Sequence, residues 1–372
     1  MKTENRLLTK ENSAMLHGAA ILMMIYHHLF VVGNEWCINH GVSFFDLFNA
    51  INIGKADTAQ MSFARFCKIC VAVFAFTSGY AMFIQLDRKN DGKISFRDMY
   101  RYCLKRLGSF FRKYFLVFVF VTVVEMCLNN PYGFDFSPRN LLLNALGFKA
   151  DYNATWWYIA VYYCMVLSSP VIYWVLNRLE WKKLLLIILG VGILAGGGFL
   201  GFAFLSGDPE RWLRIASNLA QSALSVYMII FAEGMICAKY GILDFLAGKL
   251  NIFTSVVLLL LTMIVRVLII RIPGDSVFDV LLIIPFVLSF TTLASRSGIL
   301  SKLFRFFGRY SSYMWYWHPY FYAYLFFFLV QKSDISLLVY VQVVAYTLLA
   351  SIAFTYLEKG LDTLFGKVFH RQ

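Results

Sequence analysis

The chain has 372 residues, of which 60% are hydrophobic, 18% aromatic and only 15% charged, and its mean hydropathy is +0.65. A soluble domain carries roughly 45–50% apolar and 25% charged residues, so soluble, disordered, collagen-like and disulfide-scaffold classes are excluded and the chain reads as a membrane protein. The net charge of +13 would suggest nucleic acid in a soluble protein, and its distribution along the chain decides otherwise.

Apolar runs of about 20 residues, the length that crosses a bilayer, fall at approximately 13–33, 63–85, 110–129, 155–177, 184–205, 217–238, 251–270, 277–294, 310–330 and 335–357. They predict an all-α, polytopic membrane protein with about ten transmembrane helices in a single domain over residues 1–372. The connections on the side of the N-terminus hold 24 Lys and Arg, counting Arg112 and Lys113 at the start of the third run with the connection before it, those on the opposite side 7, and the remaining spans 3. By the positive-inside rule both termini are expected in the cytoplasm, and the basic charge reflects topology rather than a nucleic-acid site. The expected location is the cell's inner (plasma) membrane. The first run is too long for a cleaved signal peptide and lacks a small-residue cleavage motif, so it reads as a retained helix.

The first span holds His17, His27 and His28 in MLHGAAILMMIYHHLF. His17 and His28 are 11 residues apart, close to three helical turns, which puts both on one face about 16 Å apart, while His27 points about 100° away. Neutral imidazole can take a proton from a hydroxyl and return it; the plainer reading is hydrogen bonding to neighbouring helices. Cys67 and Cys70 form a CxxC in the second span, but no second ligand pair accompanies it. The cytoplasmic connection Asp87 to Ser109 is the most basic and could be partly helical over Phe96 to Leu107, and its cations could also hold the phosphates of a nucleotide-like donor. TWWYIAVYY at 155–163 opens the fourth span with Trp156 and Trp157, as interface belt or acceptor site. The fifth span is rich in glycine (Gly192, Gly196, Gly197, Gly198 and Gly201), which suits close helix packing.

Ionisable groups within the spans normally face a cavity or a partner; here they include Arg65, Lys68, Glu125, Glu233 and Arg266. Of these, Glu125 and Arg266 lie near span ends and could snorkel. In the ninth span 12 of the 19 residues from Tyr310 to Phe328 are aromatic, more than a belt needs, so some are expected to line a cavity. His318 lies there just before Pro319, whose missing N–H frees a carbonyl one turn earlier and predicts a local kink. There is no Walker A motif, GxSxG elbow, HExxH or acidic DxD-type metal site, so an ATP-driven pump and a metal-dependent nucleotide-sugar transferase are disfavoured.

Six segments together resemble the acyltransferase-3 family of integral membrane acyltransferases: LHGAAILMMIYHHLF (16–30), CKICVAVFAFTSGY (67–80), KRLGSFFRKYFLVF (105–118), TWWYIAVYY (155–163), FAEGMICAKYG (231–241) and FGRYSSYMWYWHPY (307–320). The resemblance implies ten helices with cytoplasmic termini and transfer of an acyl group, usually acetyl from acetyl-CoA, to a hydroxyl of a glycan or other envelope molecule. The family's first helix carries a basic residue, then ten residues, then the essential His; the pattern falls on His17 and His28, with His17 in place of the usual Arg. The family's RxxR at the third helix falls on Arg106 and Ser109, so Lys105, Arg112 or Lys113 would compensate. No fused hydrolase-like domain is expected, so a second transfer step, if any, is expected to need a separate protein.

The expected function is therefore O-acyl transfer, most simply O-acetyl transfer, from cytoplasmic acyl-CoA to a surface or exported glycan or lipid-linked glycan. His28 with His27 is expected in catalysis, and His17, Lys105, Arg106 and Arg112 in holding the donor. Trp157, Tyr158, Lys68, Ser78, His318 and Glu233 are expected along the acceptor or acyl route. Acyl-CoA enters as co-substrate; no bound cofactor and no metal are expected, and the oligomeric state stays open. A carrier or flippase for lipid-linked sugars or acyl donors, and a non-catalytic envelope partner, are the alternatives.

Overall fold

The structure, a computed structural model, describes residues 6–32, 59–88, 95–129, 133–178, 223–269, 275–331, 333 and 335–369; most of these are helical, and among them there is no strand. Among the described residues, seven helical runs are long and apolar enough to cross a membrane: Lys10–Val31, Ala59–Arg88, Phe96–Cys127, Ala154–Arg178, Ile252–Ile269, Ser276–Arg296 and Ser336–Leu364. They coincide with expected spans one to four, seven, eight and ten. Span five, with its glycines, lies outside the described residues, and span six is described from Ala223 onward.

In chain order the helices are α1 (Lys10–His27), α2 (Ala59–Phe66), α3 (Cys70–Arg88), α4 (Phe96–Cys127), α5 (Pro138–Ala145), α6 (Tyr158–Arg178), α7 (Ala223–Tyr240), α8 (Ile242–Ala247), α9 (Ile252–Ile269), α10 (Asp279–Arg296), α11 (Gly298–Trp317) and α12 (Ser336–Phe369). α1 starts at Thr9, whose hydroxyl accepts the Asn12 N–H at 3.1 Å, and ends in a π-helical turn, His28–Val32. A 3₁₀ turn, Cys67–Ile69, joins α2 to α3, so the CxxC pair spans a tightened turn within one run. α4 is capped by Ser95, whose side chain accepts the Asp98 N–H. At 32 residues it is about 48 Å long, more than the roughly 30 Å hydrocarbon core. The basic connection is thus helical from Phe96 and continuous with the third span.

Span nine is corrected. Instead of a helix over 310–330, α11 runs from Gly298 to Trp317 and passes into a 3₁₀ turn, His318–Phe321. Two local causes account for this. Ser297 caps the helix by accepting the Leu300 N–H, and Pro319 removes the N–H that would continue the ladder.

α1 packs against α3, α10, α11 and α12 and lies at the centre of the described bundle. Lipid tails are as apolar as a helix surface, so helices in a membrane associate through close contact rather than water exclusion. Two glycine pairs provide that contact. A Cβ on Gly18 would lie 1.8 Å from the Phe304 carbonyl oxygen, and one on Gly308 1.8 Å from that of Ala14, which locks α1 on α11. Gly79 and Gly234 do the same for α3 and α7, with 1.9 Å to Phe231 O and 2.1 Å to Phe76 O.

α9 is apolar outward and polar inward: its buried residues are Ser255, Thr262 and Arg266, spaced to share one face. The Arg266 guanidinium does not snorkel. Its side chain is wholly buried and its Nε lies 2.6 Å from Asp279 Oδ1 on α10. Of the glycine contacts, Gly308→Ala is expected to lose most folded protein in detergent, whereas Gly108→Ala, with open space around the added carbon, should fold normally; size-exclusion profiles and thermal midpoints decide. For the ion pair, Arg266→Leu strands Asp279 and should cost about 3–5 kcal/mol, and Asp279→Leu added to it should recover much of that loss in a thermal melt.

Candidate active site

His17 and His28 sit on one face of α1, as their spacing requires, and both line a cavity of about 200 Å³. α3 contributes Ser78 to its wall, α4 contributes Arg106 and Phe110, the start of α6 contributes Trp157, Tyr158 and Tyr162, and α11 contributes Ser312 and Trp315. One cavity therefore brings together two imidazoles, a guanidinium and several aromatic faces.

At one end, His17 Nε2 lies 2.8 Å from the Thr77 hydroxyl. That hydroxyl donates to the Val73 carbonyl at 2.7 Å, so it accepts from His17. The His17 ring also packs on Phe74, 5.1 Å between centroids. Arg106 donates from Nε to the Tyr162 hydroxyl at 2.9 Å, which orients the guanidinium along the cavity wall. Tyr162 is in turn held against Phe110, at 4.4 Å between rings.

At the other end, α1 widens into its π turn at His28, a feature common at functional sites. His28 Nδ1 and His318 Nε2 are hydrogen-bonded at 2.7 Å. The two rings are within 8° of parallel and 5.0 Å apart between centroids. With nitrogens that close, rings so far apart meet edge to edge in one plane rather than face to face. His318 is fully buried, and its Nδ1–H donates to the Trp315 carbonyl at 2.8 Å, with Met314 O at 3.3 Å. Trp315 O is the carbonyl that Pro319 leaves without its helical partner.

Several expected site residues lie elsewhere. His27 faces away from the cavity and its Nδ1 hydrogen-bonds the Ala64 carbonyl at 2.8 Å, tying α1 to α2. Arg112 is ion-paired to Glu358 at 2.8 Å and Asp362 at 2.7 Å on α12, with Tyr313 donating to the same Glu358 at 3.0 Å. Lys113 stands over the Tyr313 ring at 5.7 Å and Lys105 is exposed, so Arg106 is the residue of that basic group that lines the cavity. Lys68, in the 3₁₀ turn before α3, and Glu233, on α7 with a buried, unpartnered Oε2, are not in the cavity wall. His318 stands behind His28 rather than along an open route.

Thr77, Tyr162, Ser312 and Trp315 were not singled out from the sequence. A signal existed for Tyr162: Thr155, Tyr158 and Tyr162 all line the cavity at helical spacing within TWWYIAVYY. Tyr158 also carries a buried hydroxyl without a hydrogen-bond partner. The other face of α1 borders a second, almost wholly apolar cavity, lined by Leu22, Met23, Tyr26, Phe63, Leu259 and Phe286 among others.

Chemically, the site offers an imidazole, His28, in an aromatic-walled space, and hydrogen-bond donors on Arg106 and Tyr158. Comparison with known proteins bears on what this chemistry serves. No curated protein and no solved structure matches the chain. A family model described as an acyltransferase domain, that of acyltransferase-3, matches residues 15–356 and so spans the histidines of α1, the Arg106 segment, TWWYIAVYY and the His318–Pro319 turn. With nearly its whole length and every wall of its cavity inside that match, the chain belongs to the acyltransferase-3 family of membrane acyltransferases.

Proposed function

We propose that this acyltransferase moves an acetyl group from acyl-CoA to a hydroxyl of a surface or exported glycan, free or lipid-linked, within a multi-pass protein of the inner membrane whose termini are cytoplasmic. The observation that carries the reading is the single cavity in which His17, Arg106, Ser78, Trp157, Tyr158 and His28 converge. The excess of Lys and Arg on the N-terminal side supports entry of the donor from the cytoplasm at the His17 end. The two histidines stand about 16 Å apart along α1, a span suited to an extended pantetheine arm. Arg106 and His17 then hold polar groups of the donor, and Trp157 with its neighbours offers faces on which a sugar stacks.

In the transfer, His28 takes the proton of the acceptor hydroxyl as its oxygen attacks the thioester carbonyl carbon. The carbonyl oxygen gains negative charge, and the Tyr158 hydroxyl donates to it. The carbon–sulfur bond breaks as the carbonyl re-forms, and the CoA thiolate leaves with the proton returned by His28. The products are one ester and one thiol. Removing a general base costs about 10²–10⁴-fold.

Membrane vesicles given acetyl-labelled acetyl-CoA test this. The intact protein is expected to deposit base-labile label in glycan, and His28→Gln at matched expression about 10²–10⁴-fold less; equal labelling removes His28 from the chemistry, and unaltered cargo moved across the membrane favours a carrier. A second comparison separates the two arginines. Arg106→Gln should raise KM for acetyl-CoA, whereas Arg112→Gln, which breaks the tie to Glu358 and Asp362, should lower the thermal midpoint and leave KM alone.

A further inference from the structure

We propose that His318 is a positioning residue: it fixes the tautomer of His28 so that the Nε2 lone pair of His28 faces the cavity, and it shares the proton that His28 takes up. The inference rests on the reading of His28 as general base, and it gives His318 a role other than lining a substrate route.

Pro319 has no N–H, so the Trp315 carbonyl at the end of α11 has no backbone donor one turn on. A carbonyl oxygen only accepts, and the atom that fills the vacancy is His318 Nδ1, at 2.8 Å. The proton of His318 is thereby placed on Nδ1, and in a neutral imidazole the opposite nitrogen, Nε2, carries the lone pair. That lone pair meets His28 Nδ1 at 2.7 Å in the common plane of the two rings. His28 must therefore donate from Nδ1, which leaves its own lone pair on Nε2. His28 is in the cavity wall while His318 is not, so Nε2 is the nitrogen left for substrate. Trp315, His318 and Pro319 thus form one device: the proline frees the Trp315 carbonyl, the carbonyl sets His318, and His318 sets the base.

The same chain accommodates charge. When His28 Nε2 takes the acceptor's proton, the pair holds one extra proton, which can sit on His28 or pass from its Nδ1 to His318 Nε2. In the second state His318 is the imidazolium, and the Trp315 carbonyl, with Met314 O at 3.3 Å, faces its positive Nδ1–H. The proton returns through the same hydrogen bond when the thiolate leaves. No proton is lost to the bilayer, and no carboxylate is needed behind the base. Without His318 the His28 ring can carry its proton on Nε2, where it cannot act as a base; loss of the correct tautomer has large consequences in hydrolase triads.

The test combines a spectrum with a conservative rescue, using the full chain in nanodiscs. Six histidines are present, and after ¹⁵N-histidine labelling the His28 signals are identified by their loss in His28→Gln. The expected wild-type pattern is an unprotonated, pyridine-type Nε2 and a protonated, pyrrole-type Nδ1 on His28. His318→Leu should lose that pattern and lower kcat by about 10²–10⁴-fold with KM for acetyl-CoA unchanged. His318→Gln, whose amide oxygen can accept the His28 Nδ1–H but cannot hold a shared proton, should recover the pattern and part of kcat. A pyrrole-type Nε2 on His28 in the wild type overturns the proposal, as does full kcat in His318→Leu. Should the leucine variant fail to fold, the wild-type spectrum and the glutamine variant still decide. Full activity in His28→Gln alongside the expected spectrum would instead overturn the general-base reading and leave the hydrogen-bond chain standing.

Discussion

The contact on which the site depends contains no side chain. Where α1 crosses α11, Gly18 and Gly308 each let a carbonyl oxygen of the opposite helix occupy the place of a Cβ. In a solvent of lipid tails that close approach, rather than water exclusion, holds helices together. It also fixes the positions of two residues remote in sequence. His28 leaves α1 about three turns beyond His17, and His318 follows the last residue of α11, and only with the two backbones this near do their ring nitrogens meet at 2.7 Å. The second glycine contact, between α3 and α7, steadies the helix that carries Thr77 and Ser78 to the other end of the cavity.

The membrane sets the second rule, that polar groups within it need partners. Arg266 meets Asp279 beneath an otherwise apolar helix, and Arg112 binds α4 to α12 through Glu358 and Asp362. Such pairs cost desolvation and are retained where they define which helix packs on which. The cavity groups differ in kind. His28 uses one nitrogen internally, and the Tyr158 hydroxyl has no protein partner, so part of their hydrogen-bonding capacity is left for substrate.

Much of this was legible in the sequence, for definite reasons. Span length and Lys/Arg placement follow from bilayer thickness and topology, so the runs beginning near Lys10, Ala59 and Ile252 could be read directly. Helical periodicity placed His17 and His28 on one face and His27 off it. The kink at Pro319 followed from a missing N–H. What could not be read were meetings between distant segments: His28 with His318, 290 positions apart, and Arg112 with Glu358, 246 apart. For that reason the ion pairs of Arg112 with Glu358 and Asp362 on α12 could not be foreseen beside its expected role toward the donor. The extent of α11 was misjudged because aromatic content, which reads as membrane, continued past the proline that ends the helix. The glycine-rich fifth span, where close packing is expected, lies outside the described residues; among the described helices single glycines at crossings, Gly18 with Gly308 and Gly79 with Gly234, provide such packing.

Acyl transfer is proposed to occur at His28, about three helical turns along the cavity wall from His17. The most direct measurement is an electron cryo-microscopy structure of the protein with a non-reactive thioether analogue of acetyl-CoA. The account predicts the pantetheine arm beside His17 and Arg106, and the acyl end within hydrogen-bonding reach of the space before His28 Nε2. An acyl end seated in the apolar cavity on the opposite face of α1, or a donor bound at Arg112 and away from His17, would contradict it.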